Sequence, residues 1–218
     1  MSAPVHVLVF ARSPIPGRAK TRLIPALGVE GAARFYLLLL EHALATARAA
    51  DFDAVEVWMD AEPIADEVRE LARVIDARLA VQTGADLGAR MDAAFGDALA
   101  RGVLPLLMGS DVPSLTPSML WEAAAALRQG RDVVIAPALD GGYGLIGVGR
   151  RLPALFEAMP WGGPEVLAET RRRIDALGCS SAELTPVWDV DEPADLARLD
   201  ELPELRDWRR RIGFEAAP

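Results

Sequence analysis

The feature that most constrains the fold is the alternation of short apolar runs with longer amphipathic stretches. Runs of strand length, such as Val5–Ala11 and Leu104–Gly109, are almost continuously apolar. Such runs are typical of strands that are covered on both faces of a sheet. Several of the stretches between them have proline near the first helical position. The pattern predicts an α/β fold, a single Rossmann-like domain with a mostly parallel central sheet and helices on both faces.

The same pattern gives approximate bounds for each element. Strands are predicted over Val5–Ala11, Val55–Asp60, Leu79–Thr83, Leu104–Gly109, Asp132–Pro137, Tyr143–Val148 and Thr185–Trp188. Helices are predicted over Glu30–Ala50, Pro63–Arg73, Leu87–Arg101, Pro117–Arg128, Pro164–Leu177 and Pro193–Leu202. No repeat or linker divides the chain, so we expect residues 1–218 to form one domain. Its tail, 203–218, is expected to pack as a last short helix and then fray.

Composition excludes several classes of protein. A hydrophobic share of 51% over 218 residues is enough for a sizeable core, which excludes global disorder. The net charge of −9 argues against broad binding to nucleic acid or to a membrane surface. One cysteine and two histidines allow neither an internal disulfide nor a zinc site built from four such ligands. No targeting segment is visible, and we expect a soluble cytoplasmic protein.

A basic loop follows the first predicted strand. Four cations fall within eleven positions, and no acid precedes Glu30; the loop contains Arg12, Pro16, Gly17, Arg18, Lys20 and Arg22. It lies at the carboxyl end of the strand, where open α/β sheets bind ligands. Proline stiffens such a loop and glycine permits a tight turn. These residues suit the phosphates of a nucleotide; pairing with surface carboxylates elsewhere is the alternative.

Three aspartates are candidate metal ligands. Asp111 ends the fourth predicted strand, at the same carboxyl edge as the basic loop. Mg²⁺ or Mn²⁺ needs only one or two protein carboxylates when substrate phosphates supply other ligands. Asp189 and Asp191 are two residues apart in an extended stretch, so they point the same way and could complete a site with Asp111. Capping of a following helix is the alternative for Asp111 and Asp191.

Two glycine-containing segments are further candidates. The first could be a turn between two strands or could let a ligand approach the backbone; it contains Asp140, Gly141, Gly142 and Tyr143. The second opens a helix after the third strand and could bind a phosphate or a base edge, through Gln82, Asp86 and Arg90. Capping by Asp86 is the simpler account of the second. Trp161, beside two glycines, is the one tryptophan that we expect in a cleft.

Four motifs in this order resemble a known family. They read Phe-Ala-Arg-Ser-Pro-Ile-Pro-Gly-Arg-Ala-Lys-Thr-Arg-Leu, Gly-Ser-Asp-Val-Pro, Asp-Gly-Gly-Tyr and Trp-Asp-Val-Asp-Glu-Pro-Ala-Asp-Leu. The pattern, which runs from about Val5 to Leu199, resembles the rSAM/selenodomain-associated transferase 1 family of the nucleotide-diphospho-sugar transferase (GT-A) superfamily. It is more distantly similar to the 2-phospholactate guanylyltransferases.

The resemblance implies a GT-A fold with Asp111 and Asp191 as metal ligands. It also implies that Arg12, Arg18, Lys20 and Arg22 contact phosphate. The chain departs from the family pattern at Gly144, at Ala85 and at Gly162-Gly163, positions that would line the acceptor side.

We therefore expect a Mg²⁺- or Mn²⁺-dependent transferase in which Lys20 and Asp111 act in catalysis. Nucleotidyl transfer from a nucleoside triphosphate to a small phosphorylated or hydroxyl acceptor accounts best for four cations. Glycosyl transfer from a nucleotide-sugar is the alternative within this class. A nucleotide-binding module without turnover, such as a partner of a radical enzyme, is the rival from another class. The sequence leaves the acceptor, the base and the oligomeric state open.

Overall fold

A computed structural model describes residues 3–214, which build one seven-stranded sheet. The strands are β1 (Val5–Ala11), β2 (Ala54–Met59), β3 (Arg78–Val81), β4 (Leu104–Gly109), β5 (Val133–Pro137), β6 (Tyr143–Val148) and β7 (Ser181–Glu183). Their order across the sheet is β3-β2-β1-β4-β6-β5-β7. All pairs are parallel except those that β6 makes with β4 and β5. The predicted α/β class with a mostly parallel sheet is confirmed.

Helices lie on both faces of the sheet. They are α1 (Ile24–Ala49), α2 (Asp66–Val74), α3 (Leu87–Ala100), α4 (Pro117–Arg128), α5 (Val166–Ala176) and α6 (Trp208–Arg211). Short 3₁₀ segments cover Thr21–Leu23, Pro153–Leu155, Pro193–Glu201 and Pro203–Leu205. Thr116 caps α4 through its hydroxyl, and Pro117 follows at the first helical position.

Alternate side chains of each strand enter two separate cores. Val7 and Val9 of β1 pack with residues of α1, α2 and α4 on one face. Leu8 and Phe10 of the same strand pack with residues of α3 and α5 on the other. Because both faces are covered, the continuous apolar pattern of β1 is explained. The strand order reverses between β1 and β4, and the carboxyl ends of these two strands therefore open a crevice between them.

The last predicted strand is misplaced. Of Thr185–Trp188, only Val187 makes a β-bridge, to Ala138, whereas the edge strand β7 is Ser181–Glu183. Pro186 has no N–H to donate to a ladder, which explains why this stretch does not continue as a strand. The polar sequence of β7 carries no apolar pattern that could have revealed it.

The observed helix bounds differ from the predicted ones mainly at the first and last predicted helices. Helix α1 begins at Ile24, well before the predicted start, and its helical dihedrals are interrupted at Gly28 (φ 72°). The predicted helix over Pro193–Leu202 is a 3₁₀ segment.

The apolar helix α1 and the tail pack together. The stretch Thr21–Ala49 is long and apolar enough to cross a membrane, but 56% of its most apolar window is buried within the protein. Phe35 of this helix contacts the buried Trp208 of α6, with ring centroids 5.3 Å apart. The helix and the tail therefore both contribute side chains to a third hydrophobic core cluster. The predicted fraying of the final residues concerns positions 215–218, outside the described residues.

Candidate functional site

The basic loop begins in an anchored backbone. The N–H of Arg12 donates to the Tyr36 hydroxyl (2.6 Å), which also shares a hydrogen bond with Ser110 Oγ (2.8 Å). The N–H and the hydroxyl of Ser13 both donate to Asp60 Oδ1, at 2.8 and 3.0 Å. Burial raises the pKa of Tyr36 above its ordinary value, so its hydroxyl stays protonated. These bonds join the loop to the ends of β2 and β4.

The tip of the loop turns tightly and then enters an unusual conformation. Pro16, Gly17 and Arg18 are exposed, and Gly17 has a φ of 79° that glycine adopts without strain. Lys20 adopts the left-handed region with φ 46° and ψ 49°. That region is unfavourable for a residue with a Cβ atom, by about 1–2 kcal/mol. A lysine held there suggests that the direction of its side chain matters to function.

The side chain of Lys20 joins the loop to two of the predicted carboxylates. Its ammonium lies 2.7 Å from Asp111 Oδ2 and 3.6 Å from Asp191 Oδ1, and the lysine side chain is only 6% exposed. Arg22 forms an ion pair with Asp191 Oδ2 at 2.6 Å and lies 3.9 Å from Glu192. Loop and aspartates, which are about 90 and 170 residues apart in sequence, therefore meet in one crevice.

A direct connection between two chain segments brings Asp191 close to Asp111. The N–H of Val190 donates to the carbonyl of Asp111 (3.1 Å). Ser114 Oγ accepts the N–H of Trp188 (2.8 Å) and donates to the carbonyl of the same residue (2.9 Å). Ser114 is thus a strap between the loop after β4 and the segment 188–191. It does not cap α4, a role that Thr116 fills.

The carboxylate of Asp191 is not used for helix capping. Glu192 is the N-cap of the 3₁₀ segment, and its reciprocal partner is Asp195. The Asp195 carboxylate accepts the backbone N–H groups of Asp191 (3.0 Å) and Glu192 (2.8 Å). The side chain of Asp191 is therefore free to face Lys20 and Arg22, and the capping alternative is excluded by this geometry.

A cleft of about 380 Å³ opens beside these groups. Its walls are Arg22, Leu139, Asp140, Gly162, Gly163, Pro164, Trp188, Asp189, Asp191, Glu192, Asp195 and Arg198. Burial raises the pKa of Asp189 to about 6, and the nearby carboxylates of Asp111 and Asp140 add to the rise. The guanidinium of Arg198 stacks on the Trp188 ring, 4.6 Å from its centroid.

The segment that contains Asp140 is a tight turn on the rim of this cleft. Asp140 Oδ1 accepts the N–H of Gly142 (2.9 Å), as the turn interpretation requires. Gly141 has a φ of 92°, and a Cβ atom there would lie 2.1 Å from the carbonyl oxygen of Pro164. The turn therefore approaches the Gly162–Pro164 loop so closely that only glycine fits. Since Asp140 also lines the cleft, the turn role and a ligand role are compatible.

Neither predicted aromatic residue lines this cleft: Trp161 was expected in a cleft, but the tryptophan in its wall is Trp188. Tyr143 and Trp161 pack edge to face, with ring centroids 6.5 Å apart. The Tyr143 hydroxyl and Trp161 Nε1 are buried and make no hydrogen bond within the described residues. Burial raises the pKa of Tyr143. Trp161 also lies against Gly88, where an added Cβ atom would be 3.0 Å from its indole.

The residues predicted after β3 serve the backbone in this structure. Gln82 Nε2 donates to the carbonyls of Ala11 (3.2 Å) and Trp58 (2.7 Å), so its N–H groups are directed to strand ends rather than to a ligand. Asp86 caps α3 by accepting the N–H of Ala89 (2.8 Å), and it lines a separate hollow at that helix end. Arg90 Nε donates to the carbonyl of Gly84. Capping accounts for Asp86, and the phosphate role predicted for Gln82 has no free donor to support it.

Sequence reasoning missed the residues that hold the site together. Asp60 follows β2 at the same carboxyl edge, so the edge argument used for Asp111 could have identified it. Ser110 adjoins Asp111 in the sequence. Tyr36 lies within α1, where an aromatic residue is an ordinary core residue and gives no signal. Ser114 bonds Trp188, 74 residues away in sequence, so no local pattern reveals its role.

Solved structures with a similar fold include several transferases. A candidate nucleotide-diphospho-sugar transferase from Desulfovibrio desulfuricans G20 is 28% identical, with a TM-score of 0.82 and coverage of 96% of both chains. Rv0371c from Mycobacterium tuberculosis H37Rv in complex with manganese is 20% identical, with a TM-score of 0.58 over 91% of this chain and 99% of that one. At this identity the likeness shows the fold alone.

A third structure is glucosyl-3-phosphoglycerate synthase from Mycobacterium tuberculosis, in complex with Mn²⁺, uridine diphosphate and glucosyl-3-phosphoglycerate. It is 12% identical, with a TM-score of 0.56 over 99% of this chain and 82% of that one, and again shows the fold alone. The GT-A fold expected from the motifs is thereby confirmed.

The family assignment comes from sequence. No curated protein matches the chain. A family model matches residues 43–163, which include Asp111, the Asp140–Tyr143 turn and Trp161 but neither the basic loop nor Asp191. Because the match covers more than half of the chain, this protein belongs to the bacterial family described as "Uncharacterized protein conserved in bacteria (DUF2064)".

Proposed function

We propose that the protein is a metal-dependent transferase of the GT-A type that uses a nucleotide donor. One observation carries this proposal: the ammonium of Lys20 lies between Asp111 and Asp191 at the crevice where strand order reverses. Cations for phosphate and carboxylates for a divalent ion are the two groups that a nucleotide-using site needs. Here they are in contact with each other.

The donor set fits Mg²⁺ or Mn²⁺. Asp111 and Asp191 offer hard carboxylate oxygens, and both face one cationic nitrogen. Within residues 3–214, no group of three or more histidine, cysteine or acidic side chains is arranged to hold a metal. Donor phosphates would therefore complete the coordination of an ion held by these two aspartates. When bound, such an ion neutralises phosphate charge and stabilises charge that develops on the leaving group.

The basic loop would bind the donor phosphates. Arg12 and Arg18 have exposed side chains, and Arg22 is two-thirds exposed. Lys20, held by its backbone conformation, would contact the phosphates from the floor of the crevice beside Asp111. Hydrogen bonds from a charged donor to phosphate contribute about 1.5–3 kcal/mol each. These positively charged groups also stabilise negative charge on the departing group.

The cleft beside Asp189 would receive the acceptor. Five of its lining residues are acidic and two are arginines, and one of these, Arg22, is already paired with Asp191. Like charges in a confined cleft disfavour a phosphorylated acceptor. Of the two acceptor classes expected from the sequence, a neutral hydroxyl compound therefore fits better. Its carbon skeleton could pack on Trp188 and Leu139.

Nucleotidyl transfer is the favoured chemistry. Four cations on one loop match the larger charge of a nucleoside triphosphate, and they would stabilise a pyrophosphate leaving group. Glycosyl transfer from a nucleotide-sugar is the second candidate. The likeness to the Desulfovibrio desulfuricans protein, at 28% identity over 96% of the chain, favours it. The resemblance to the rSAM/selenodomain-associated transferase 1 family is compatible with either chemistry.

An assay that identifies the released product separates these possibilities. The protein is incubated with Mg²⁺, a fractionated pool of small hydroxyl compounds, and either the four nucleoside triphosphates or UDP-glucose. Release of pyrophosphate supports nucleotidyl transfer, and release of UDP supports glycosyl transfer. Tight donor binding without either product would indicate a binding module. No binding of any nucleotide would reject the proposal.

The lysine gives a direct test of donor binding. Lys20→Ala should weaken binding of the donor by about 1.5–3 kcal/mol, since one charge-assisted hydrogen bond to phosphate is lost. Isothermal titration calorimetry measures this loss. Arg48→Ala is the matched control, because Arg48 pairs with Asp51 before the amino end of β2, away from the crevice. Unchanged affinity in Lys20→Ala would mean that the phosphates bind elsewhere.

A further inference from the structure

The position of Lys20 has a consequence for metal binding, which rests on the proposed function. Its ammonium contacts Asp111 at 2.7 Å and lies 3.6 Å from Asp191. These carboxylates are the two that would hold a divalent ion. We propose that Lys20 is an internal counter-ion that competes with the divalent metal for Asp111 and Asp191, so that the metal binds tightly only after donor phosphates have drawn Lys20 away.

The burial of Lys20 indicates that its ammonium would compete with a metal ion for the two carboxylates and would not merely lie near them. The lysine side chain is 6% exposed, whereas those of Asp111 and Asp191 are 35% and 41% exposed. Because the ammonium is withdrawn from water, its charge is poorly screened and acts strongly on the adjacent oxygens. A divalent ion that bound the same oxygens would be repelled by it at close range. Arg22 also pairs with Asp191, but it is 66% exposed and can move into solvent.

The backbone of Lys20 explains why the lysine stays near the carboxylates. Its left-handed conformation is fixed within a turn, in which the N–H of Leu23 donates to the carbonyl of Lys20 (2.9 Å). The Cα position is therefore set, and the ammonium can move only by changes in side-chain torsions. A donor phosphate placed over the loop offers the ammonium a new anionic partner within that reach. The two carboxylates are then released to the metal.

Thermodynamic linkage makes the expected effect measurable. If donor binding removes a competitor of the metal, the donor raises metal affinity, and the metal raises donor affinity by the same factor. Removal of the ammonium by mutation should do what the donor does. Lys20→Met should therefore bind metal more tightly than wild type without a nucleotide. The nucleotide should then tighten metal binding by a smaller factor than in wild type, because only direct coordination by the phosphates remains.

The experiment measures Mn²⁺ binding by electron paramagnetic resonance, in which free Mn²⁺ gives a sharp signal that is lost on binding. Wild type is titrated with MnCl₂ alone, with GTP and with UDP-glucose, after correction for Mn²⁺ bound to the free nucleotide. We expect nucleotide to tighten Mn²⁺ binding at least tenfold in wild type. Lys20→Met should bind Mn²⁺ at least tenfold more tightly than wild type without nucleotide, and its own enhancement by nucleotide should be at least threefold smaller than that of wild type.

Two further variants control for folding and for general charge. Lys20→Gly keeps the loop conformation, since glycine adopts φ 46° freely, and should repeat the result if Lys20→Met is misfolded. Arg18→Met removes the same charge from an exposed position on the loop, and should change Mn²⁺ affinity without nucleotide by less than twofold. If Mn²⁺ affinity rose equally in Arg18→Met, the cause would be a long-range charge effect and not direct competition, and the inference would be overturned.

The outcomes also separate this inference from the proposed function. If wild type binds nucleotide and Mn²⁺ but Lys20→Met and Lys20→Gly bind Mn²⁺ no more tightly than wild type, the competition is refuted while the transferase proposal stands. If calorimetry detects no nucleotide binding by wild type, the proposed function fails first. A tenfold gain in both Lys20 variants, absent in Arg18→Met, supports the inference.

Discussion

The strap formed by Ser114 gives the sharpest test of how the site is assembled. Ser114 Oγ accepts the N–H of Trp188 at 2.8 Å and donates to its carbonyl at 2.9 Å. In Ser114→Ala the N–H of Trp188 loses its partner in a half-buried position. A polar group left without a partner costs about 1–3 kcal/mol. With a urea m-value of about 2 kcal/mol/M, the unfolding midpoint should fall by about 0.5–1.5 M.

The same variant should also affect ligand binding. Segment 188–191 carries Asp191, and the strap helps to hold it beside Asp111, together with the hydrogen bond from Val190 to Asp111. We expect Ser114→Ala to weaken Mn²⁺ binding in the presence of nucleotide several-fold. Urea unfolding, followed by tryptophan fluorescence, measures the stability, and electron paramagnetic resonance measures the metal.

A serine four residues further along the chain, Ser118, controls for the loss of a hydroxyl group. Ser118 is exposed on α4, and its hydroxyl shares a hydrogen bond with the Thr116 hydroxyl at 2.9 Å. Ser118→Ala should change the free energy of unfolding by no more than about 0.5 kcal/mol. If Ser114→Ala unfolds at the wild-type midpoint and binds Mn²⁺ normally, the strap does not position Asp191, and our account of how the carboxylates converge is wrong.

Three further predictions test the site and the scaffold. Asp111→Asn should abolish turnover while the melting temperature changes by only a few degrees, because Asp111 is partly exposed; full activity in the presence of a chelator would remove the metal from the mechanism. Gly141→Ala should lower the unfolding midpoint far more than Gly130→Ala: both glycines have φ near 90°, but an added Cβ atom at Gly141 would lie 2.1 Å from the carbonyl oxygen of Pro164, whereas one at Gly130 would meet nothing within 4 Å; equal effects would exclude the clash. The pKa of Asp132 is lowered to about 2, chiefly by its hydrogen bond with Arg150, so its charge stabilises the fold above the ordinary pKa near 4. In urea unfolding, Asp132→Asn should therefore be less stable than wild type at pH 7, and this difference in the free energy of unfolding should shrink as the pH falls from about 4 to about 2. A difference that stays constant over this range would refute the argument.

Much of the fold could be predicted because apolar periodicity reports burial. The bounds of β1, β4 and β6 match the prediction, since each strand is covered by helices and is apolar almost throughout. Strand β7 could not be predicted, because Ser-Ala-Glu at a sheet edge is stabilised by backbone bonds to β5 rather than by buried side chains. The 3₁₀ conformation of Pro193–Glu201 could not be predicted either, because its apolar residues recur with the spacing of an ordinary helix.

The candidate site was predictable in part, for a topological reason. Lys20 and Asp111 follow parallel strands, and the carboxyl ends of such strands lie at one edge of the sheet. The spacing of Asp189 and Asp191 and the resemblance both indicate that Asp191 joins the site. Its approach to Lys20 could not be predicted from a local pattern, because its chain segment reaches the crevice through hydrogen bonds to Ser114 and Asp111. The Asp191 carboxylate is available to Lys20 and Arg22 because Asp195, and not Asp191, accepts the backbone N–H groups at the start of the 3₁₀ segment.

The wide separation along the chain of the groups that meet at Lys20 has a consequence for biosynthesis. The loop leaves the ribosome first, Asp111 follows 91 residues after Lys20, and Asp191 follows about 80 residues after Asp111. A nascent or prematurely terminated chain therefore lacks one of the carboxylates that neutralise the lysine. A chain that stops before Asp191 cannot form the ion pairs that this residue makes with Lys20 and Arg22, so the charges of the crevice are balanced only late in synthesis.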